Sequence, residues 1–180
     1  MAILVKRIYI PKANGKFRPF GIPNIKTRVI QNIVKNALEP EWEAKFESSS
    51  YGFRPGRSCH DALSRLYVYT ARHKKRTWVL ACNIKGCFDN IDHSELLDMI
   101  GDFPAKDVIK AWLKAGYCEF PSTEVVETHA GTPQGGIISP LLVNIALHGI
   151  KKYLGIKTVS TTGHNASGNK YAYSLYPLRG

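Results

Sequence analysis

Three short segments of this 180-residue chain carry side chains suited to chemistry on phosphates and bases. Residues 12–23 read KANGKFRPFGIP, with Lys12, Lys16 and Arg18 flanking an Asn-Gly turn on an otherwise apolar ribbon. Arginine offers a planar fork and lysine a mobile point charge, a pairing that suits a triphosphate. Lys16 reads equally well as a solvated hairpin tip. Residues 50–57 read SYGFRPGR, two aromatics with two arginines. Rings stack on bases and arginines hold phosphates. Arg54 and Arg57 are the preferred contacts, because Tyr51 and Phe53 serve as readily to pack the loop onto the body. Residues 131–136 read GTPQGG. Their glycines allow backbone to come close to a ligand, and Gln134 both donates and accepts hydrogen bonds.

Charge points to the class of partner. The formal net charge is +11. Residues 1–80 hold 16 Lys and Arg against 5 Asp and Glu, whereas residues 81–180 hold 9 of each. A one-sided basic excess suits a polyanion, most simply nucleic acid. The hydrophobic fraction of 44% supports a real core and excludes global disorder. The length fits one domain, or one domain with a small lobe. Cys59, Cys82, Cys87 and Cys118 form no C-x-x-C pair and sit in or beside apolar stretches. They are expected to be buried free thiols in a reducing compartment. No apolar run approaches the ~20 residues of a membrane span. Lys6, Arg7 and Pro11 interrupt the apolar start too early for a secretory signal. The expected location is therefore cytoplasmic, with no membrane partner.

Periodicity outlines the elements that must position these segments. Residues 3–10 and 17–22 are expected to pair as a hairpin around the turn at 12–16. Residues 28–38 are helical, with Val29, Ile30, Ile33, Val34, Ala37 and Leu38 on one apolar face. Pro40 is expected to interrupt this helix, with Trp42 and Phe46 extending the surface beyond a kink. Ser58 caps a helix through Asp61, turning Ala62, Leu63 and Leu66 inward. Residues 78–83, WVLACN, read as a buried strand ending at Asn83 and followed by a tight link. Asp92 begins a helix with Glu95 three residues on and Leu96, Leu97 and Ile100 inside. Pro104 suits the first turn of the next helix, which buries Val108, Ile109, Trp112 and Leu113. Residues 116–120 and 123–128 read as a strand pair around Pro121-Ser122. Ser139 caps a last helix with Pro140 at its first position and Leu141, Leu142, Ile145, Ala146, Gly149 and Ile150 on one side. Residues 159–170 are polar and turn-rich, and the tail to Gly180 shows no partner.

In their order along the chain, KANGKFRPFGIP, SYGFRPGR with His60-Asp61-Ala62, WVLACNIKGCFDNIDH at 78–93 and GTPQGGIISPLLVN at 131–144 resemble the group II intron reverse transcriptases and maturases. The likeness covers about residues 5–154. It implies an α+β right-hand polymerase: a basic fingers lobe at 1–77, an incomplete antiparallel palm at 78–155, and a degenerate or poorly ordered tail at 156–180. For intact members it implies RNA-templated DNA synthesis with Mg²⁺ and dNTPs. The implied partners are intron RNA or an RNA template-primer, with a DNA target. Residue by residue, it places Arg18 and then Lys12 on the incoming nucleotide. Phe88 lies against the sugar, and Gln134 over the nucleotide and primer end. Tyr51, Arg54 and Arg57 meet the template RNA. Without the resemblance, Phe88 reads as a core aromatic.

The resemblance also exposes departures. Two magnesium ions in such a polymerase are held by carboxylates. The family's strand-end aspartate is Asn83 here, which keeps one carbonyl oxygen and loses the charge. No Tyr-Ala-Asp-Asp run occurs: Tyr171-Ala172 continues into Tyr173-Ser174, and no acidic residue follows Glu127. Asp89 and Asp92 lie past the link, and Asp92 reads as a helix cap. The metal site is thus not intact. The expectation is a truncated or degenerate fragment that binds RNA and does not polymerise by itself. The alternatives are an RNA-binding maturase-like module with no polymerase role and a non-functional relic.

Overall fold

The chain turns back on itself between Lys12 and Lys16. In the computed structural model, which describes residues 4–13, 15–71, 79–119 and 124–155, Gly15 takes a φ of 75°. The Lys12 N–H donates to the Lys16 carbonyl at 2.7 Å. This turn joins β1 (Val5–Pro11) to β2 (Phe17–Ile22) in an antiparallel register running from Lys6 opposite Ile22 to Pro11 opposite Phe17.

Next comes α1 (Ile25–Lys45), opened by the Asn24 side chain, which accepts from the Thr27 N–H at 2.7 Å. Its buried residues are Thr27, Gln31, Val34, Leu38 and Trp42, spaced three or four apart. Of the expected face, Val34 and Leu38 are buried. Val29, Ile30 and Ile33 are exposed, and two polar residues lie inside. An apolar stripe shows that a helix has a face to bury, but remote neighbours decide which face is covered. Nor does Pro40 end the helix. It forfeits one backbone bond, and burial of Leu38 and Trp42 on either side keeps the turns in place.

The chain divides into two compact units: Met1–Ala44 with Cys82–Ala146, and Lys45–Ala81 with Leu147–Gly180. These are interleaved in sequence. The expected boundary at 77/78 lies outside the described residues, as does the tail at 156–180.

The second unit contains α2 (Cys59–Thr70). Ser58 caps it in a reciprocal box with Asp61, as expected. Hydrogen bonds from Ser58 hold the Asp61 carboxyl below its usual range. Ala62 is buried but Leu63 is exposed, against expectation.

The segment read as a buried strand straddles the boundary between the units, with 79–81 in the second and Cys82 onward in the first. Residues 79–84 have no regular structure and are all exposed, with Leu80 at 87%. An apolar run is buried as a strand only when other elements cover both its faces, and the exposure of 79–84 shows that none among the described residues does. A 3-10 turn at Cys87–Asp89 then leads to α3 (His93–Ile100), with Leu96, Leu97 and Ile100 buried as expected. α4 (Lys106–Leu113) buries Ile109 and Leu113, while Val108 is exposed.

β3 (Tyr117–Glu119) and β4 (Val125–Val126) pair antiparallel, as expected. β3 also pairs with β1 in parallel, giving a mixed sheet of order β2-β1-β3-β4. On the joined strands, the Tyr9 hydroxyl donates to Glu119 at 2.5 Å, and that bond raises the tyrosine pKa. α5 (Ser139–Ala146) stops earlier than its periodicity suggests. Gly149, at φ 85°, precedes the separate one-turn α6 (Ile150–Tyr153). Leu38, Leu96, Ile109, Ile138, Leu142 and Ile145, all nearly inaccessible, form the centre of the first unit.

The architecture is α+β. No described helix is long and apolar enough to cross a membrane. All four cysteines are free, as expected, but none is buried: Cys59 and Cys82 are exposed and the others intermediate. Partial burial of Cys87 pushes its thiol pKa up.

Candidate functional site

In the first unit the 131–136 loop is held by three separate parts of the chain. At its entry, the Gly131 N–H donates to the Ile91 carbonyl and the Thr132 N–H to the Phe88 carbonyl, both at 2.7 Å. Asp92 and Ala130 form a bridge beside them. The Gly131 carbonyl meets Nε2 of His93 at 2.7 Å. A carbonyl only accepts, so Nε2 carries the proton. His93 is 6% exposed. In the middle of the loop, the Gly21 N–H of β2 donates to the Gln134 carbonyl at 3.0 Å. At its exit, the Ile137 N–H donates at 3.0 Å to Oε1 of Gln31, which is 2% exposed.

This arrangement explains the glycines differently from the sequence reading. They admit the protein's own atoms. A Cβ on Gly131 would lie 2.7 Å from the Phe88 carbonyl oxygen. One on Gly135, at φ 139°, would collide with the Gly21 carbonyl and sit 2.9 Å from the Phe20 ring. Close approach is required, as expected, but by backbone and an aromatic ring.

The packed loop points the Gln134 amide at Asp89, with Nε2 3.4 Å from each carboxylate oxygen. A cleft of about 290 Å³ opens here, its lining including Arg7, Gly21, Asp89, Tyr117, Thr132 and Gln134. The Arg7 guanidinium lies over the Tyr117 ring, 3.2 Å from its centroid. Thr132 is 4% exposed, and its hydroxyl has no hydrogen-bond partner among the described residues. Phe88 is half-buried beside this group. Lys12 and Arg18 are exposed on the hairpin that supplies Gly21. Arg18 stands three residues from Gly21 along β2, about 10 Å at strand rise. Gln31 and His93 escaped the sequence reading, and Asp89 entered it only as a stand-in for the missing carboxylate. His93 and Asp89 sit within a recognised motif, but nothing local shows what they face.

Asn83 stands exposed in the unstructured segment. Asp92 caps α3 by accepting from the Glu95 N–H at 3.0 Å. The Ser94 hydroxyl, and then that N–H, hold its carboxyl below the usual range. Among the described residues no group of three or more His, Cys, Asp or Glu side chains could hold a metal ion. The residues described therefore do not fit the carboxylate-held Mg²⁺ pair that the resemblance implies.

In the second unit the 48–57 loop is braced largely by its own cations. Arg54, 8% exposed, donates to the carbonyls of Glu47 at 2.8 Å and Ser50 at 3.1 Å, and lies over Phe46. It is a buried brace where the sequence reading expected a template contact. The Arg57 guanidinium donates to the Ser48 carbonyl at 2.6 Å and lies over the Tyr51 ring. Lys151, 6% exposed, pairs with Glu47 at 3.4 Å and also reaches the Ser49 hydroxyl.

A family model described as reverse transcriptase (RNA-dependent DNA polymerase) matches residues 10–162. The chain belongs to the reverse transcriptase family. Its similarity extends to intron-encoded proteins. It is 44% identical over 155 residues to the group II intron-encoded protein LtrA of Lactococcus lactis subsp. cremoris, covering 83% of this chain and 25% of that protein. Against protein YkfC of Escherichia coli (strain K12) the identity is 37%, covering 83% of this chain and 40% of the other. It is 38% identical to an uncharacterized 91 kDa protein in the cob intron of Schizosaccharomyces pombe, with 83% and 18% covered. The chain thus spans between about a fifth and two fifths of the length of these relatives.

Proposed function

We propose that this chain is an RNA-binding segment of a group II intron reverse transcriptase–maturase and that its 180 residues do not polymerise by themselves. The observation that carries the reading is the placement of the whole +11 charge in residues 1–80 of a chain whose residues 10–162 match the reverse transcriptase family. Basic groups neutralise phosphates and release counterions, the sequence-independent part of nucleic-acid affinity. In this reading the 1–77 region is the basic fingers lobe and 78–155 a partial palm. Arg57 and Tyr51 meet the template, with Arg54 holding their loop. Lys12 and Arg18 attract the triphosphate of an incoming nucleotide, and Phe88 and Gln134 border its sugar and base.

Reverse transcriptases use Mg²⁺. Here Asn83 supplies a neutral oxygen at the aspartate position, and the 180 residues contain no Tyr-Ala-Asp-Asp run. Nucleotidyl transfer by these residues alone is therefore not expected.

The test is RNA binding by the purified chain over a range of salt. The logarithm of affinity should fall linearly with that of salt, by about 0.7 per phosphate neutralised on a single strand. Affinity unchanged between low and moderate salt would overturn the reading. Primer extension should be absent, and Asn83→Asp alone should not restore it. Processive cDNA synthesis by this chain would refute that part.

A further inference from the structure

The first half of α1 is turned inside out. A surface helix ordinarily directs its apolar residues inward and its polar ones outward. Over residues 25–33, Thr27 and Gln31 are buried, while Ile25, Val29 and Ile33 are 80%, 55% and 63% exposed. At about 100° per residue, Val29 points directly away from the buried row Thr27, Gln31, Val34, Leu38 and Trp42. Ile25, Val29 and Ile33 stand four residues apart, about 6 Å along the axis, so their side chains form one apolar strip. Gln31 accepts from the Ile137 amide. That bond accounts for a polar residue inside; it does not account for isoleucines outside.

Charge identifies the chemistry of the covering partner. Lys26 borders the strip on one side and Arg28 on the other, both exposed. Neither makes an ion pair among the described residues. The first acidic residue of the sequence is Glu39, after eight Lys and Arg. A second copy packed on this strip would bring like charges together, and a nucleic-acid strand would leave the isoleucines in water. We propose that the outer face of α1 docks an acidic amphipathic helix of a partner protein. The partner's apolar row lies on Ile25, Val29 and Ile33, and Asp or Glu on either border meets Lys26 and Arg28. Apolar burial supplies the affinity, and the bordering charges set orientation and reject basic partners. The proposal is independent of the RNA-binding reading.

The test titrates the full chain with fluorescent peptides of about 18 residues, long enough to form an isolated helix. One carries a Leu row bordered by Glu, and a second the same row bordered by Lys. A third has the composition of the first in an order without helical periodicity. The Glu-bordered peptide should bind about tenfold more tightly than either of the others. Val29→Gln should weaken it about tenfold and leave the thermal midpoint in place, because that side chain lies outside the core. Lys26→Glu with Arg28→Glu should invert the preference between the Glu-bordered and Lys-bordered peptides.

Equal binding of all three peptides would overturn the proposal, as would binding of the Glu-bordered peptide that ignores these variants. A concentration-dependent dimer dissolved by Val29→Gln would overturn it by assigning the strip to a second copy. Binding to phosphatidylserine–phosphatidylcholine vesicles that Val29→Gln abolishes, with no peptide preference, would overturn it by assigning the strip to a membrane. A chain that shows the peptide preference and binds no RNA would sink the RNA-binding reading and support this one.

Discussion

The loops at 48–57 and 131–136 are both organised by buried polar side chains, but their supports come from different distances. Arg54 and Arg57 bind carbonyls four to nine residues away in their own stretch, and Lys151 adds one support from a distant turn. The 131–136 loop instead rests on Gln31, 106 residues from the Ile137 amide it accepts from, on His93, 38 residues from Gly131, and on Gly21 of the hairpin. A self-braced loop keeps its shape as long as its own residues are intact. A loop clamped by remote elements has its shape only once those elements have docked. The second kind suits a position such as Gln134, whose direction must match groups contributed by other elements. The first suits a turn that holds Phe53 at a φ of 56°.

Substitutions can break this contrast. The largest effect is expected from Gly135→Ala, which drives a methyl group into the Gly21 carbonyl and the Phe20 ring at positive φ. It should cost about 3 kcal/mol in chemical denaturation. A loss below about 1 kcal/mol would mean that β2 does not bear on the loop.

Arg54→Met should cost about 2 kcal/mol, by leaving the Glu47 and Ser50 carbonyls without their charged donor. Its mark should be local. Amide exchange should quicken at Ser50 and Arg57, whose N–H groups bond within the loop, while the Ile137 amide stays protected. Equal quickening at Ile137 would contradict the self-braced description.

Gln31→Ala and His93→Ala should each cost about 1–2 kcal/mol, since each strands a backbone group of the 131–137 segment. Gln31→Ala should expose the Ile137 amide to exchange. Unchanged protection there would show that α1 does not hold the loop exit.

The smallest effect is the pH dependence of the two caps. Asp61 and Asp92 have carboxyl pKa values lowered by hydrogen bonds they accept from Ser58 and from Ser94 and Glu95. A lowered folded-state pKa means that the contribution is fully present above the unfolded carboxylate range. It is lost as pH falls through the lowered values. Asp92→Asn should flatten part of the acid limb of the stability curve, and an identical limb in both proteins would remove Asp92 from the account.

The parts of this protein legible in the sequence are those governed by a few adjacent residues. The Asn-Gly hairpin, the Ser58 and Asp92 caps, the buried triad Leu96, Leu97 and Ile100, and the β3–β4 pairing all follow from turn chemistry and short periods. Motif order identified the family for the same reason. Less legible were the buried face of α1, the coil at 79–84 and the burial of Arg54. In each, the residue types permit several environments, and the choice depends on which remote segment arrives.

The sequence by itself determined the caps at Ser58 and Asp92, which family the chain belongs to, and where its positive charge lies. These rest on hydrogen bonds and sterics within a few residues, or on counting. Only the tertiary structure decided that β1 takes β3 as a parallel neighbour, that Gln134 faces Asp89, and that the glycines of GTPQGG accommodate the protein's own backbone and a phenylalanine ring. Those outcomes join residues tens of positions apart. Their energy comes from burial and hydrogen bonding that exist only when the chain has closed on itself.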